Sequence, residues 1–204
     1  MIPKSKENKL RTARKVPDYL IYEMMDGKPI YYRNYKAVLN KSKTLEEVMG
    51  ASKFQSVLIT YLFKCILKFI DDDLYFVLTN EIGSHIDVGN NISNDIAIFD
   101  KKALFEDKID NHYATIPPKI AIEVDTEADF SEFSETGYVY KKSQKLLDFG
   151  VEKIIWVMTD IRRVTVIEKD QDWRIVDWNK DIEIMNGHTF NIGNYLAKEG
   201  IQVI

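Results

Sequence analysis

The alternation of hydrophobic and polar positions is sharpest between Pro117 and Asp125, which read Pro-Pro-Lys-Ile-Ala-Ile-Glu-Val-Asp. The two prolines break whatever precedes them, and the residues that follow repeat with the period of an extended strand. Ala121, Glu123 and Asp125 fall on one face of that strand, and Ile120, Ile122 and Val124 on the other. Its β-branched residues predict a central strand, yet it carries two carboxylates two positions apart. An acid among such neighbours is costly unless it is paired or ligates a cation. Upstream, Ser93-Asn94-Asp95-Ile96-Ala97-Ile98-Phe99 is a second apolar run opened by an acid. The pattern predicts that these two strands pair and that their acids converge on a divalent metal.

The rest of the chain supplies elements around this pair. Tyr19 to Tyr32 reads as two strands about the Asp26-Gly27 turn, with Glu23 inside the first strand. Thr44-Leu45-Glu46-Glu47 has the form of a capping box, and Ser52-Lys53-Phe54-Gln55 suggests a second. From there Phe54, Val57, Leu58, Tyr61, Leu62, Cys65, Ile66 and Phe69 recur at three- and four-residue steps, the stripe of a core-facing helix. Asp71-Asp72-Asp73 reads as a solvated turn after it. Strands follow at Leu74–Thr79, near His85–Val88 after a turn around Gly83, and at Asp95–Phe99. A short helix is expected at Lys102–Phe105, and an acidic loop over 126–136. Gly137–Phe149 reads as a helix closed by Gly150. Strands are then expected at Lys153–Met158, Val164–Ile167 and Trp173–Trp178, with a terminal helix near Ile192–Lys198. A strand, helix and strand over 119–158 imply a parallel crossover in an otherwise hairpin-rich sheet. The expected class is α/β, bordering on α+β.

Composition narrows the setting without changing this picture. The chain of 204 residues is 45% hydrophobic and 29% charged, ordinary for a globular protein, and has no linker-like segment. It reads as a basic arm over residues 1–16 and a single domain over 17–204. The arm holds Lys4, Lys6, Lys9, Arg11, Arg14 and Lys15, and reads first as a solvated end and second as a phosphate contact. The net charge of −4 does not by itself advertise a nucleic-acid binder. The single cysteine excludes an internal disulfide, and no leader or membrane span is evident, so a cytoplasmic setting and no membrane partner are expected.

The chemistry suggested by the acids is phosphodiester hydrolysis. Carboxylates such as Asp95, Glu123 and Asp125 hold Mg²⁺ or Mn²⁺, which activates water and neutralises charge on phosphate oxygens. A lysine from the following helix, which presents Lys141, Lys142 and Lys145, would sit beside them. His85, His112 and His188 are isolated, and Cys65 has no basic neighbour on its stripe, so none of these marks a metal or nucleophile site. Trp156, Trp173 and Trp178 could stack bases, but their strand contexts favour packing.

The order of these features resembles the Uma-two family of endonuclease-like proteins, within the PD-(D/E)XK, restriction-endonuclease-like superfamily. The residues that carry it are Asn94-Asp95 before an apolar strand, Pro117-Pro118 leading to Glu123-Val124, Lys142 ahead of Gly150-Val151, and Ile154-Ile155-Trp156-Val157. The segment Tyr22 to Gly27 and the helix from Ser52 extend the match to roughly residues 17–198. The resemblance implies a mixed β-sheet flanked by helices and a metal-dependent endonuclease acting on DNA. It carries metal binding onto Asp95 and Glu123, with Asp125 as a further acid at the place where the superfamily often has lysine. It points to Lys142 as the catalytic lysine, with Lys145 as the alternative and Glu23 as an additional acid. Asn94 stands where the family motif has proline, and no histidine opens the Ser52 helix.

Two main readings follow. One is a Mg²⁺- or Mn²⁺-dependent DNA endonuclease, with pairing to a second copy of the chain left open. The other is a catalytically silent nuclease fold that binds nucleic acid or a protein. A metal-free acid/base enzyme is a third, with no motif behind it.

Overall fold

The computed structural model describes residues 15–125, 128–129 and 134–202. Most of the basic arm and the middle of the acidic loop lie outside the described residues. In chain order the first elements are β1 (Ile21–Met25), β2 (Lys28–Tyr31), α1 (Tyr35–Leu39), α2 (Glu46–Met49) and α3 (Lys53–Ile66). β3 (Tyr75–Asp87), β4 (Asn90–Asp100), α4 (Lys101–Glu106) and β5 (Ile120–Val124) follow. The chain continues with α5 (Glu135–Phe149), β6 (Lys153–Met158), β7 (Arg163–Glu168) and β8 (Arg174–Asp177). The last elements are β9 (Ile182–Met185), β10 (His188–Phe190) and α6 (Ile192–Glu199).

Local chemistry accounts for the main boundaries. Asp26 and Gly27 both adopt positive φ, 53° and 69°, as the tight turn between β1 and β2 requires. The Gly27 N–H donates to the Gly89 carbonyl at 3.0 Å, which laces this turn to the one joining β3 and β4. Gly89 has a φ of 91° and a Cβ there would lie 3.0 Å from Gly27 backbone, so the close approach needs glycine. Ser52 caps α3, its Oγ accepting from the Gln55 N–H at 3.1 Å. Gln55 does not complete a capping box; its Nε2 donates to the Val124 carbonyl at 2.8 Å. In the box at Thr44 the reciprocal half is present, with Glu47 Oε2 accepting from the Thr44 N–H at 2.7 Å.

The main sheet has eight strands, ordered β2-β1-β4-β5-β6-β7-β8, with β3 also paired to β4. β5 and β6 are parallel and α5 is the crossover between them; the other pairs in this sheet are antiparallel. The predicted pairing of the Asp95 and Glu123 strands is therefore present, with Ile96 opposite Ile122 and Ile98 opposite Ile120. One face of the sheet buries Ile120, Ile122 and Val124 against Leu58, Leu62 and Ile66 of α3 and Leu196 of α6. The other face buries Ala121, Ile154 and Trp156 against Tyr138, Val139 and Leu146 of α5. The result is a mixed α+β arrangement, a large mixed sheet flanked by helices.

Several boundaries differ from the sequence reading. β3 is one continuous strand of 13 residues rather than two with a turn at Gly83. Its irregularity lies earlier, at Asn80 and Glu81, where two residues with positive φ bulge out without ending the pairing. α3 ends at Ile66, so Phe69 packs on the core from the turn beyond the helix. The β9–β10 hairpin and α1 have no forecast in the sequence, because their short apolar runs carry no period long enough to read.

If α3 covers the sheet as described, truncating its most central contact opens a cavity that neighbouring side chains only partly fill. Leu62→Ala is expected to lower unfolding stability by about 2–5 kcal/mol in urea denaturation. A loss below about 1 kcal/mol would contradict the packing of α3 on β5.

Candidate active site

The site forms where the sheet forks. β3 runs along one edge of β4, while the other edge is shared by two strands. β5 pairs with β4 at Ile96–Ile98, and β1 meets it at Asn91, opposite Met24. Between these two pairings lie Ile92 to Asp95. On the β3 side the ladder passes from Thr79–Ile96 to Ile82–Asn94, so that Asn80 and Glu81 together oppose the single residue Asp95. A bulge of this kind bends its strand and re-aims the side chains beside it. Its effect is visible in the packing. Ile92 joins the cluster under α5, whereas Ile96 and Ile98, at the same parity, join the cluster under α3.

Three acids and one lysine converge at the fork. Glu23 of β1 is 3% exposed, Glu123 of β5 is 2% exposed and Lys142 of α5 is fully buried. Lys142 Nζ donates to Glu23 Oε1 at 2.8 Å and lies 3.0 Å from Glu123 Oε1. Glu23 Oε1 also accepts from the Ser93 N–H at 3.1 Å, and its Oε2 accepts from the Tyr138 hydroxyl at 2.6 Å. Asn94 Nδ2 donates to Glu123 Oε1. The ammonium is further enclosed by the ring of Trp156, 5.5 Å from its centroid, and by that of Tyr138, 5.8 Å away. Asp95 stands at the edge of this group and is partly accessible; its Oδ2 accepts from the Val124 N–H at 2.7 Å, just past the last ladder pair with β5.

Electrostatics follow from this arrangement. Burial pushes Glu123 up to about 8, with Lys142 opposing and Asp95 and Glu23 adding to the rise. Burial likewise lifts Asp95 to about 6, against the Val124 N–H and Lys142. For Lys142 burial works against the charged form, but Glu123 and Glu23 outweigh it and hold the ammonium above the ordinary lysine value. A single ammonium can balance only one of its two carboxylate neighbours, and the surplus negative charge is what raises Glu123 and Asp95 further and favours their protonation.

The remaining sequence candidates are placed apart from this group. Asp125 leaves β5 with a φ of 55°, and its two oxygens accept from the Thr159 N–H at 2.8 Å and the Thr159 hydroxyl at 2.7 Å. Lys145 pairs at 2.6 Å with Asp26 in the β1–β2 turn and is not joined to the acids. Glu23, read from the sequence only as an additional acid, turns out to be a direct partner of Lys142. Sequence reasoning missed Tyr138, and it read Asn94 only as a motif position and not as a partner of Glu123. Tyr138 lies one helical turn before Lys142, a spacing that sets both side chains on one face. Glu81, in the bulge, acts on the charge of Asp95, and nothing in its local sequence marks it.

The fit to a divalent cation can be judged from the donors. Among the described residues no group of three or more His, Cys, Asp or Glu side chains is arranged to hold a metal ion. Asp95 Oδ1 and Glu123 Oε2 nevertheless carry no hydrogen bond among the described residues, and the buried Asn94 Oδ1 has no partner either. A pair of carboxylates completed by waters and substrate oxygens is a common donor set for Mg²⁺. The residues fit a two-carboxylate site and do not form a closed protein cage.

In layers and strand arrangement the molecule has a nuclease-like fold. A solved structure sharing it is that of a candidate nuclease of DUF820 from Anabaena variabilis, with a TM-score of 0.61 and 15% sequence identity. The superposition covers 86% of this chain and 89% of that one. DUF820 is the Uma-two family, and at this identity the likeness is one of fold. No protein-family model matches the chain, and no curated protein matches it. No helix among the described residues is long and apolar enough to cross a membrane.

Removing the buried cation leaves two glutamates facing each other in the interior. Lys142→Met is expected to destabilise the protein by about 3–5 kcal/mol. The loss should be greater at pH 8.5 than at pH 5.5, because protonation relieves unpaired buried carboxylates at the lower pH. In the native protein the Asp95 contribution has the same sign. Its folded value of about 6 exceeds the unfolded one, so its stabilising effect is complete below about pH 4 and is lost as pH rises through about 6. Urea midpoints of both proteins at the two pH values test this; a variant equally stable at both would contradict it.

Proposed function

We propose that the protein is a divalent-metal-dependent endonuclease that hydrolyses phosphodiester bonds in DNA. The observation that carries this reading is the convergence of Asp95, Glu123 and Lys142 at the fork of a nuclease-like sheet. Mg²⁺ or Mn²⁺, when bound, would supply charge neutralisation on the phosphate and a more acidic water. Asp95 and Glu123 would hold it through the oxygens left open by Val124 and Lys142.

The chain's own contributions are positional and electrostatic. The Val124 N–H fixes the Asp95 carboxylate at the β4–β5 divergence, so the acid is oriented before any ligand arrives. Lys142 and Asn94 both hold Glu123 Oε1, which aims Oε2 away from the helix. Full burial of Lys142 favours a role in setting the charge and direction of Glu123 over a role in contacting water itself. Glu23 and Tyr138 in turn fix Lys142.

The same burial favours a second reading, in which the fold binds nucleic acid or a protein without cutting it. A lysine enclosed by two glutamates and two aromatic rings is a sound structural core with no catalysis required. The two readings separate on one experiment. Under the nuclease reading, Asp95→Ala reduces Mg²⁺-dependent plasmid nicking by about a hundredfold or more while leaving the circular dichroism spectrum unchanged. Glu123→Gln weakens Mg²⁺ binding at least about tenfold in calorimetry. Undetectable nicking by the wild type in both Mg²⁺ and Mn²⁺ would favour the binding module.

A further inference from the structure

Beyond the C-terminal ends of the parallel strands β5 and β6 lies a cleft of about 610 Å³. Open α/β sheets place ligands in this position, and the volume suits a small organic group. Asp125 and Thr159 line it from the strand ends, Tyr140 from α5, Trp173 and Ile175 from the start of β8, and Arg33 from the segment after β2.

The cleft sets an aromatic and aliphatic wall beside polar groups, among them Arg33, Asp125 and Asp160. Of the three tryptophans, Trp156 and Trp178 are buried in the interior, whereas Trp173 is only partly covered. Its ring lies 5.3 Å from that of Tyr140 at an angle of 33°. Tyr140 is 56% exposed, and Ile175, which also lines the cleft, 70%. Arg33 lines the same cleft and acts on the charge of Asp125. The cleft also adjoins the end of β5, the strand that carries Glu123. Gln55, one of its lining residues, donates to the carbonyl of Val124, the residue between Glu123 and Asp125.

Aromatic and aliphatic surfaces open to solvent beside one guanidinium match a flat π-system that carries a phosphate. A paired base in a duplex keeps its faces stacked inside the helix, whereas an unpaired one can lay a face on a tyrosine or tryptophan. We propose that this cleft binds one unpaired nucleotide of a single-stranded or locally opened nucleic acid, its base against Tyr140 and Trp173 and its phosphate toward Arg33. The proposal rests on the nuclease reading for its choice of ligand, and it assigns to that reading a single-stranded substrate or a locally melted one. It concerns binding, so it can fail while the cleavage reading stands.

The test uses the full chain in the presence of EDTA, so that cleavage does not interfere. Fluorescence anisotropy is followed with a labelled oligothymidylate of about twelve nucleotides and with a labelled duplex of the same length. The single strand should bind about tenfold more tightly than the duplex. Tyr140→Ala and Trp173→Ala should each weaken it about tenfold, while Tyr140→Phe, which keeps the ring, retains the affinity. Arg33→Gln should weaken binding and flatten its salt dependence. Circular dichroism of each variant checks the fold, and Tyr140, being exposed, can be truncated without opening the core. Single-strand binding left unchanged by both alanine variants, preference for the duplex, or no binding at high micromolar protein would each overturn the proposal. If Asp95→Ala abolishes nicking while the alanine variants bind normally, the cleft assignment falls and the nuclease reading survives.

Discussion

A lysine ammonium with no exposure to solvent is the constraint around which this protein is arranged. Taking Lys142 out of water costs several kcal/mol, and only partners of opposite charge at hydrogen-bonding distance offset it. Those partners come from places far apart in the chain. Glu23 is supplied by the first strand and Glu123 by the central one, and Lys142 itself by the crossover helix. The cluster therefore joins the β1–β2 hairpin, the middle of the sheet and α5 in one interaction. It also makes the three elements interdependent, since loss of the ammonium leaves two carboxylates buried without a counter-charge.

The sheet makes room for the cluster by a local irregularity. A regular ladder along β4 would have kept Asn94 and Asp95 within the pleat. The two-residue bulge at Asn80 and Glu81 turns the strand instead, and the gap between β1 and β5 on the opposite edge gives the turned side chains a place to go. Apolar packing on either side holds this geometry. α3 closes one face with leucine and isoleucine, and α5 closes the other with tyrosine and valine while delivering the lysine. Positioning and stability are thus supplied by the same contacts, and the acids reach their places without a dedicated loop.

Much of this was legible in the sequence, and the limits are instructive. The central strand, its partner and the α3 stripe follow from periodicity, because burial on one or both faces leaves a period that local composition cannot disguise. The acids at Asp95 and Glu123 were legible as polar groups in apolar company. Selecting Lys142 over Lys145 needed the family resemblance: the two lie three residues apart on neighbouring turns, and only the tertiary position of Asp26 draws Lys145 away. The bulge left no mark in sequence, since it is a relation between two strands and not a property of either. Asp125 illustrates the same point. Strand alternation placed it beside Glu123, but its positive φ and its bonds to Thr159 take it out of the strand pattern.

Under the proposed function, Lys142 fixes one oxygen of Glu123 and leaves the other, with Asp95, to face a divalent cation. Anomalous diffraction from crystals soaked in Mn²⁺ tests it most directly. A single anomalous peak is expected within coordination distance of Asp95 and Glu123, with the Lys142 contacts retained. Crystals that show manganese elsewhere on the molecule, and none between these two acids, would contradict it.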